Sequence, residues 1–132
     1  MSARSLVIAF VALGLVACAR KSAPPKPADA AAAVPPSYEM RLGRDTYVHY
    51  CATCHGDAGA GDGFNAYNLD PHPRDLSDAA VQKKTDAQIA DAISRGGSGV
   101  GLSSLMPPWA HTLSDRQVAE VVLYVRSLKK SR

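Results

Sequence analysis

Residues 51–55 read Cys-Ala-Thr-Cys-His, and this pentapeptide restricts the possible folds more than any other feature of the 132-residue chain. A C-x-x-C pair followed directly by histidine serves one of three chemistries: part of a tetrahedral zinc site, a redox dithiol, or the attachment point of a c-type haem. Each requires different surroundings. The rest of the chain chooses among them.

Zinc asks for four ligands, usually as two spaced pairs. Cys51, Cys54 and His55 offer three at most, no second C-x-x-C exists, and His49, His72 and His111 stand apart. A thioredoxin-like dithiol expects a strand before the motif and a βαβ neighbourhood. Here a helical pattern precedes the motif, and no alternating apolar run of strand length occurs. Covalent haem fits better. Thiols at this spacing add to the two vinyl groups, which brings the next residue, His55, under the iron as an axial imidazole. The cysteine count also closes, because the third, Cys18, has a separate use.

Cys18 follows an export pattern. Arg4 precedes an unbroken apolar run, LVIAFVALGLV from Leu6 to Val16, which is too short for a stable membrane span and matches the central region of a secretory signal. Leu15-Val16-Ala17-Cys18 resembles the lipobox of bacterial lipoproteins. That resemblance implies that residues 1–17 are a signal peptide and that Cys18 is lipidated after cleavage. It further implies a cell-envelope location on the periplasmic side of a bacterial membrane, with Ala19 rather than aspartate favouring the outer membrane. Residues 19–36 contain seven alanines and five prolines and cannot build a packed core. They read as a semi-rigid tether that reaches roughly 55 Å at about 3.1 Å per residue.

The folded unit is therefore expected at residues 37–132. It holds eleven Lys and Arg against eleven Asp and Glu, so the excess of basic residues belongs to the N-terminal part. No basic patch with interleaved aromatics suggests nucleic acid. Two Phe and one Trp in the whole chain are few for a self-sufficient core. A prosthetic group would supply the missing apolar bulk.

Three helices can be placed. The first runs from about Glu39 into the cysteine motif, and Gly43 within it suggests a close approach by another helix. A middle helix starts at Thr85, with Gln88 as capping partner, and ends at Gly96-Gly97. The last begins with the capping box Ser114 to Gln117, stapled by Leu113 and Val118. Val118, Val121, Val122, Val125 and Leu128 then recur at helical spacing. Residues 56–84 and 97–112 read as long loops. Their glycines match no nucleotide fingerprint, and the run DAGAGDGFN fails calcium-loop spacing.

From 38 to 130 the chain resembles the small class I c-type cytochromes of bacteria. Gly43, Tyr47 and Tyr124 stand where that family has its helix-crossing glycine and aromatics. Met106-Pro107-Pro108-Trp109, following Arg95-Gly96-Gly97, looks like its loop bearing the axial methionine. Pro71 or Pro73 resembles the proline whose carbonyl orients the ligand histidine. The resemblance implies an all-α cytochrome c fold, with terminal helices crossing near a right angle, a middle helix, and loops wrapping one haem c. Arg74 and Trp109 are candidates to bond the propionates.

The ligand opposite His55 is expected to be Met106, with His111 as its rival. Met40 sits on the first helix, on the wrong side of the motif. A thioether favours ferrous iron, and two filled axial positions exclude substrate. The expected function is one-electron transfer between respiratory partners, a donor and an acceptor such as a terminal oxidase or reductase, rather than enzymatic catalysis. The competing readings are a haem-based gas sensor or peroxidase-like enzyme with an open sixth site, and a cytochrome subunit of a larger respiratory complex.

Overall fold

The computed structural model describes residues 37–130, and Cys18, the signal 1–17 and the tether 18–36 lie outside them. Helix α1, Tyr38–Tyr50, starts where Ser37 Oγ accepts from the Met40 N–H at 3.2 Å, with Glu39 in the first turn of the dipole. Helix α5, Asp115–Ser127, has the expected reciprocal cap: Gln117 N–H donates to Ser114 Oγ at 3.3 Å, and Ser114 N–H donates to Gln117 Oε1 at 3.0 Å. Its valines lower intrinsic helix propensity, so burial must hold it. Val118, Val121, Val122 and Val125 are all buried.

The terminal helices pack at Gly43. A Cβ there would run into the carbonyl of Glu120 and come within 3.1 Å of Val121 N, so only glycine lets the two backbones meet. One turn on, Tyr47 is fully buried, with its ring 5.0 Å from that of Tyr124. Its hydroxyl donates to Gly56 O at 2.7 Å, which ties the helix contact to the end of the cysteine motif.

Cys51 is the joint between α1 and a single further turn, α2, Ala52–His55. The middle helix, α4, Asp86–Gly99, opens on the predicted cap, with Gln88 N–H donating to Thr85 Oγ1 at 3.2 Å and Thr85 N–H to Gln88 Oε1 at 2.9 Å. Gly96, at φ 68°, interrupts the helix where its end was expected, and one more turn follows.

The loops hold more structure than their composition suggests. A 3-10 turn, Ala66–Asn68, and a one-turn helix, α3, Ala79–Gln82, lie in the stretch expected to be loop. Helix α3 is capped by Asp78 and buries Val81 in the core. No strand occurs among the described residues, and the all-α expectation holds. No described helix is long and apolar enough to cross a membrane.

Candidate functional site

The core is small for this chain. Ile89, Ile93, Leu113, Tyr47 and the α5 valines form one cluster, and beside it lies a cavity of about 600 Å³. Such a volume suits a bound organic ligand. Its walls come from every part of the domain: the cysteine motif, residues 69–76, α4, residues 102–109 and α5.

Cys51, Cys54 and His55 all line the cavity. The α1–α2 joint presents them there, because Cys51 N–H still donates to Tyr47 O at 2.8 Å while Cys51 O accepts from His55 N–H at 2.9 Å. Both thiols are free. Burial, with Cys54 close by, pushes the Cys51 thiol up to about 11. A dithiol oxidoreductase needs the opposite, a lowered thiol pKa and a standing thiolate. Among the described residues no three His, Cys, Asp or Glu side chains gather as a metal-holding group.

His55 is oriented by backbone. Its Nδ1 lies 3.1 Å from Arg74 O, and a carbonyl can only accept, so Nδ1 carries the proton and Nε2 is the free ligand nitrogen. Burial lowers the His55 pKa and the carbonyl bond partly opposes this; the net direction favours the neutral imidazole that a metal ligand must present. The expected acceptor, Pro71 or Pro73, is corrected by one residue or more. Pro73 O turns instead onto the backbone of Gly61, where a Cβ would collide with it, and the next carbonyl reaches the imidazole. The glycines after the motif thus have a use, since Gly59 likewise lies against Leu76 and Leu128.

Met106 also lines the cavity, in the segment after α4. Its carbonyl accepts from Gly97 N–H at 2.9 Å, and Trp109 N–H donates to Ile93 O at 3.1 Å. Gly96 is in contact with this segment: a Cβ there would sit 2.6 Å from Pro108 N and 2.7 Å from Pro107 C. A Cβ on Gly97 would overlap Ser103 O. The Gly96–Gly97 pair is therefore the seat on which Met106-Pro107-Pro108 rests.

Arg74 and Trp109 also line the cavity, and the Trp109 ring lies 5.3 Å from Tyr50, a partner the sequence did not reveal. His72 lines it too, whereas Met40, His49 and His111 do not. His49 packs edge-on against Tyr50 at 4.5 Å. The residues present fit a haem: two free thiols, one neutral imidazole and one thioether share a largely apolar chamber.

An all-α fold built around such a chamber defines a c-type cytochrome. Residues 39–125 match the family described as cytochrome c oxidase, cbb3-type, subunit III, and the chain belongs to that family. Among curated proteins it is 29% identical over 92 residues to the cbb3-type cytochrome c oxidase subunit FixP of Bradyrhizobium diazoefficiens. That match covers 69% of this chain but only 28% of FixP. Among solved structures it resembles the KustC0563 c-type cytochrome, with a TM-score of 0.50 and 31% identity, over 67% of this chain and 98% of that one. The protein is a c-type cytochrome related to cbb3 oxidase subunit III, and its family implies covalently bound haem c.

Proposed function

We propose that the chain is a membrane-tethered one-electron carrier with one haem c, bound through Cys51 and Cys54 and ligated by His55 and Met106. The observation that carries this reading is the convergence of those four side chains on one apolar cavity. When bound there, the haem supplies an Fe(III)/Fe(II) couple. The chain supplies the rest. Arg74 O holds the proton of His55 Nδ1, which keeps Nε2 free to ligate. The Gly96–Gly97 seat presents Met106 without relying on the strength of a soft ligand. Ile89, Ile93, Val121 and Val125 keep water from the chamber, and a dry site holds a couple at a defined potential. Arg74 and Trp109 are the groups available for the propionates.

The likeness to FixP, itself an oxidase subunit, supports a respiratory membrane complex, a terminal oxidase, as the electron acceptor. It also favours service as a subunit of such a complex over free diffusion. Tethering through Cys18 on the periplasmic face would hold the domain near that partner. Mass spectrometry of the mature N-terminus should find acylated Cys18, and an unmodified residue there would remove the lipid anchor.

Ligation is tested by Met106→Ala. The variant should bind carbon monoxide when reduced, which the native protein should resist, and its reduction potential should fall because a ligand favouring Fe(II) is gone. Met40→Leu, a volume-conserving change away from the cavity, should do neither. Ready carbon monoxide binding by the native protein, unchanged in Met106→Ala, would favour a sensor or peroxidase-like enzyme instead.

A further inference from the structure

Residues 75–77 form a closely fastened turn beside the site. Asp75 Oδ1 accepts from the Ser77 backbone N–H at 2.8 Å and also from Ser77 Oγ, while Asp75 Oδ2 accepts from Lys130 Nζ at 3.0 Å. Leu76 N–H donates to Gly59 O at 2.6 Å, and Leu76 O accepts from Gln82 Nε2 at 2.8 Å.

This turn acts on His55 through one peptide plane. Arg74 O, the acceptor for His55 Nδ1, belongs to the amide joining residues 74 and 75. That amide is planar, so placing Asp75 and Arg74 fixes the direction of its oxygen. On the other side the plane is confined by Gly61, whose Cβ position lies 3.4 Å from Arg74 C. The carbonyl is held between glycine backbone and the Asp75 turn.

We propose that Asp75 is a positioning residue for the axial histidine: with Ser77 it orients the Arg74 carbonyl, and through that bond it sets the basicity of the imidazole and the reduction potential. The proposal rests on His55 being an iron ligand. A well-aligned Nδ1–H···O bond raises ligand basicity and so favours Fe(III). Magnitudes rank the two partners of Asp75. The Lys130 side chain is 71% exposed, so its ion pair contributes little. Ser77 is buried and donates charge-assisted bonds, which makes it the main lock.

The test uses the haem-loaded protein and two readouts, redox titration and the Nδ1–H proton resonance of the ligand histidine in the reduced state. Asp75→Ala should raise the reduced-to-oxidised ratio at fixed potential severalfold and should move the Nδ1–H resonance. Asp75→Asn loses the charge but keeps an acceptor for Ser77 N–H, so its shift should be clearly smaller. Lys130→Met leaves the carboxylate uncompensated and should move the ratio slightly the other way. Equal shifts for Asp75→Ala and Asp75→Asn, with the Nδ1–H resonance unmoved in both, would reduce Asp75 to a bare charge and overturn the proposal. Should Asp75→Ala fail to mature, Ser77→Ala carries the test without any change of charge: it should shift both readouts in the Asp75→Ala direction, and no shift overturns the proposal. A native protein lacking the histidine resonance altogether would instead sink the ligation reading beneath it.

Discussion

On the His55 side of the cavity, beyond the backbone contacts of Gly59 and Gly61, residues 82–86 are fastened to the C-terminal helix by side chains. Gln82 Nε2 donates to Leu76 O at 2.8 Å and to Val125 O at 2.9 Å, and Arg126 reaches Asp86, Gln82 O and Lys84 O. On the Met106 side, main-chain bonds do the same work. Gly97, Leu102, Trp109 and Ala110 donate N–H groups to carbonyls of Met106, Gly97, Ile93 and Ser94, at 2.7 to 3.1 Å, over two glycines that admit no side chain. A segment tied by side chains can lose one tie and keep its path. One that rests on bare backbone fails when the backbone is forced away. The two sides should therefore respond differently to substitution.

The largest effect is expected on the Met106 side. Gly97→Ala places a methyl group against Ser103 O, where neither partner is a flexible side-chain end. Gly96→Ala adds strain from φ 68° to contact with Pro107 and Pro108. Each should cost about 3 kcal/mol of stability in chemical unfolding and open the iron to carbon monoxide. Gly43→Ala meets an obstacle of the same kind at the α1–α5 contact, so it should destabilise comparably while leaving carbon monoxide binding unchanged. If Gly43→Ala also opens the iron, the Met106 loop has no private dependence on its glycine seat.

A smaller effect is expected on the other side. Gln82→Ala removes two partly buried bonds; Leu76 O loses its partner while Val125 O keeps the Leu128 N–H at 3.2 Å, for about 1 to 2 kcal/mol. The remaining ties from Arg126 and Lys130 should keep the His55 ligation intact, read as an unchanged spectrum below the unfolding transition. Loss of the spectrum in Gln82→Ala at full helical content would show that the side-chain ties are not redundant.

The same contrast decides what the sequence could reveal. Caps at Ser114 and Thr85 were legible because cap and partner lie three residues apart. Gly43 was legible because glycine inside a helical pattern has few other uses, whereas Gly96–Gly97 read as a helix end and their contact with the Met106 segment was not legible. Helix α3 was not, since a single turn carries no periodicity. Nor was the Arg74 acceptor: any residue brings a carbonyl, and only the path set by Gly59 and Gly61 selects which one meets His55. The Gln82 and Arg126 ties join distant residues through side chains common on any surface. The grouping of Cys51, Cys54, His55 and Met106 on one cavity was therefore anticipated from the chain, while the support on the His55 side was not.

The smallest expected effect belongs to Asp75 and appears only in acid. The hydrogen bond from the Ser77 hydroxyl, then that from Lys130, hold its carboxyl below the usual carboxylate range against a weaker push from desolvation. A depressed folded pKa means that the unfolded chain binds the proton first. The stabilisation is therefore fully present above the unfolded carboxyl pKa of about 3.9, and it is lost as pH falls from there through the folded value. Because Lys130 is largely exposed and its pair is screened, the hydrogen bonds from Ser77 should dominate. Unfolding free energies of the native protein and Asp75→Asn should differ by a constant amount at neutral pH and converge below about pH 4. Lys130→Met should retain most of that pH dependence, and Ser77→Ala should lose more of it. Convergence that depends on Lys130 and not on Ser77 would make the turn a surface ion pair, and the two sides of the cavity would then differ less in how they are held.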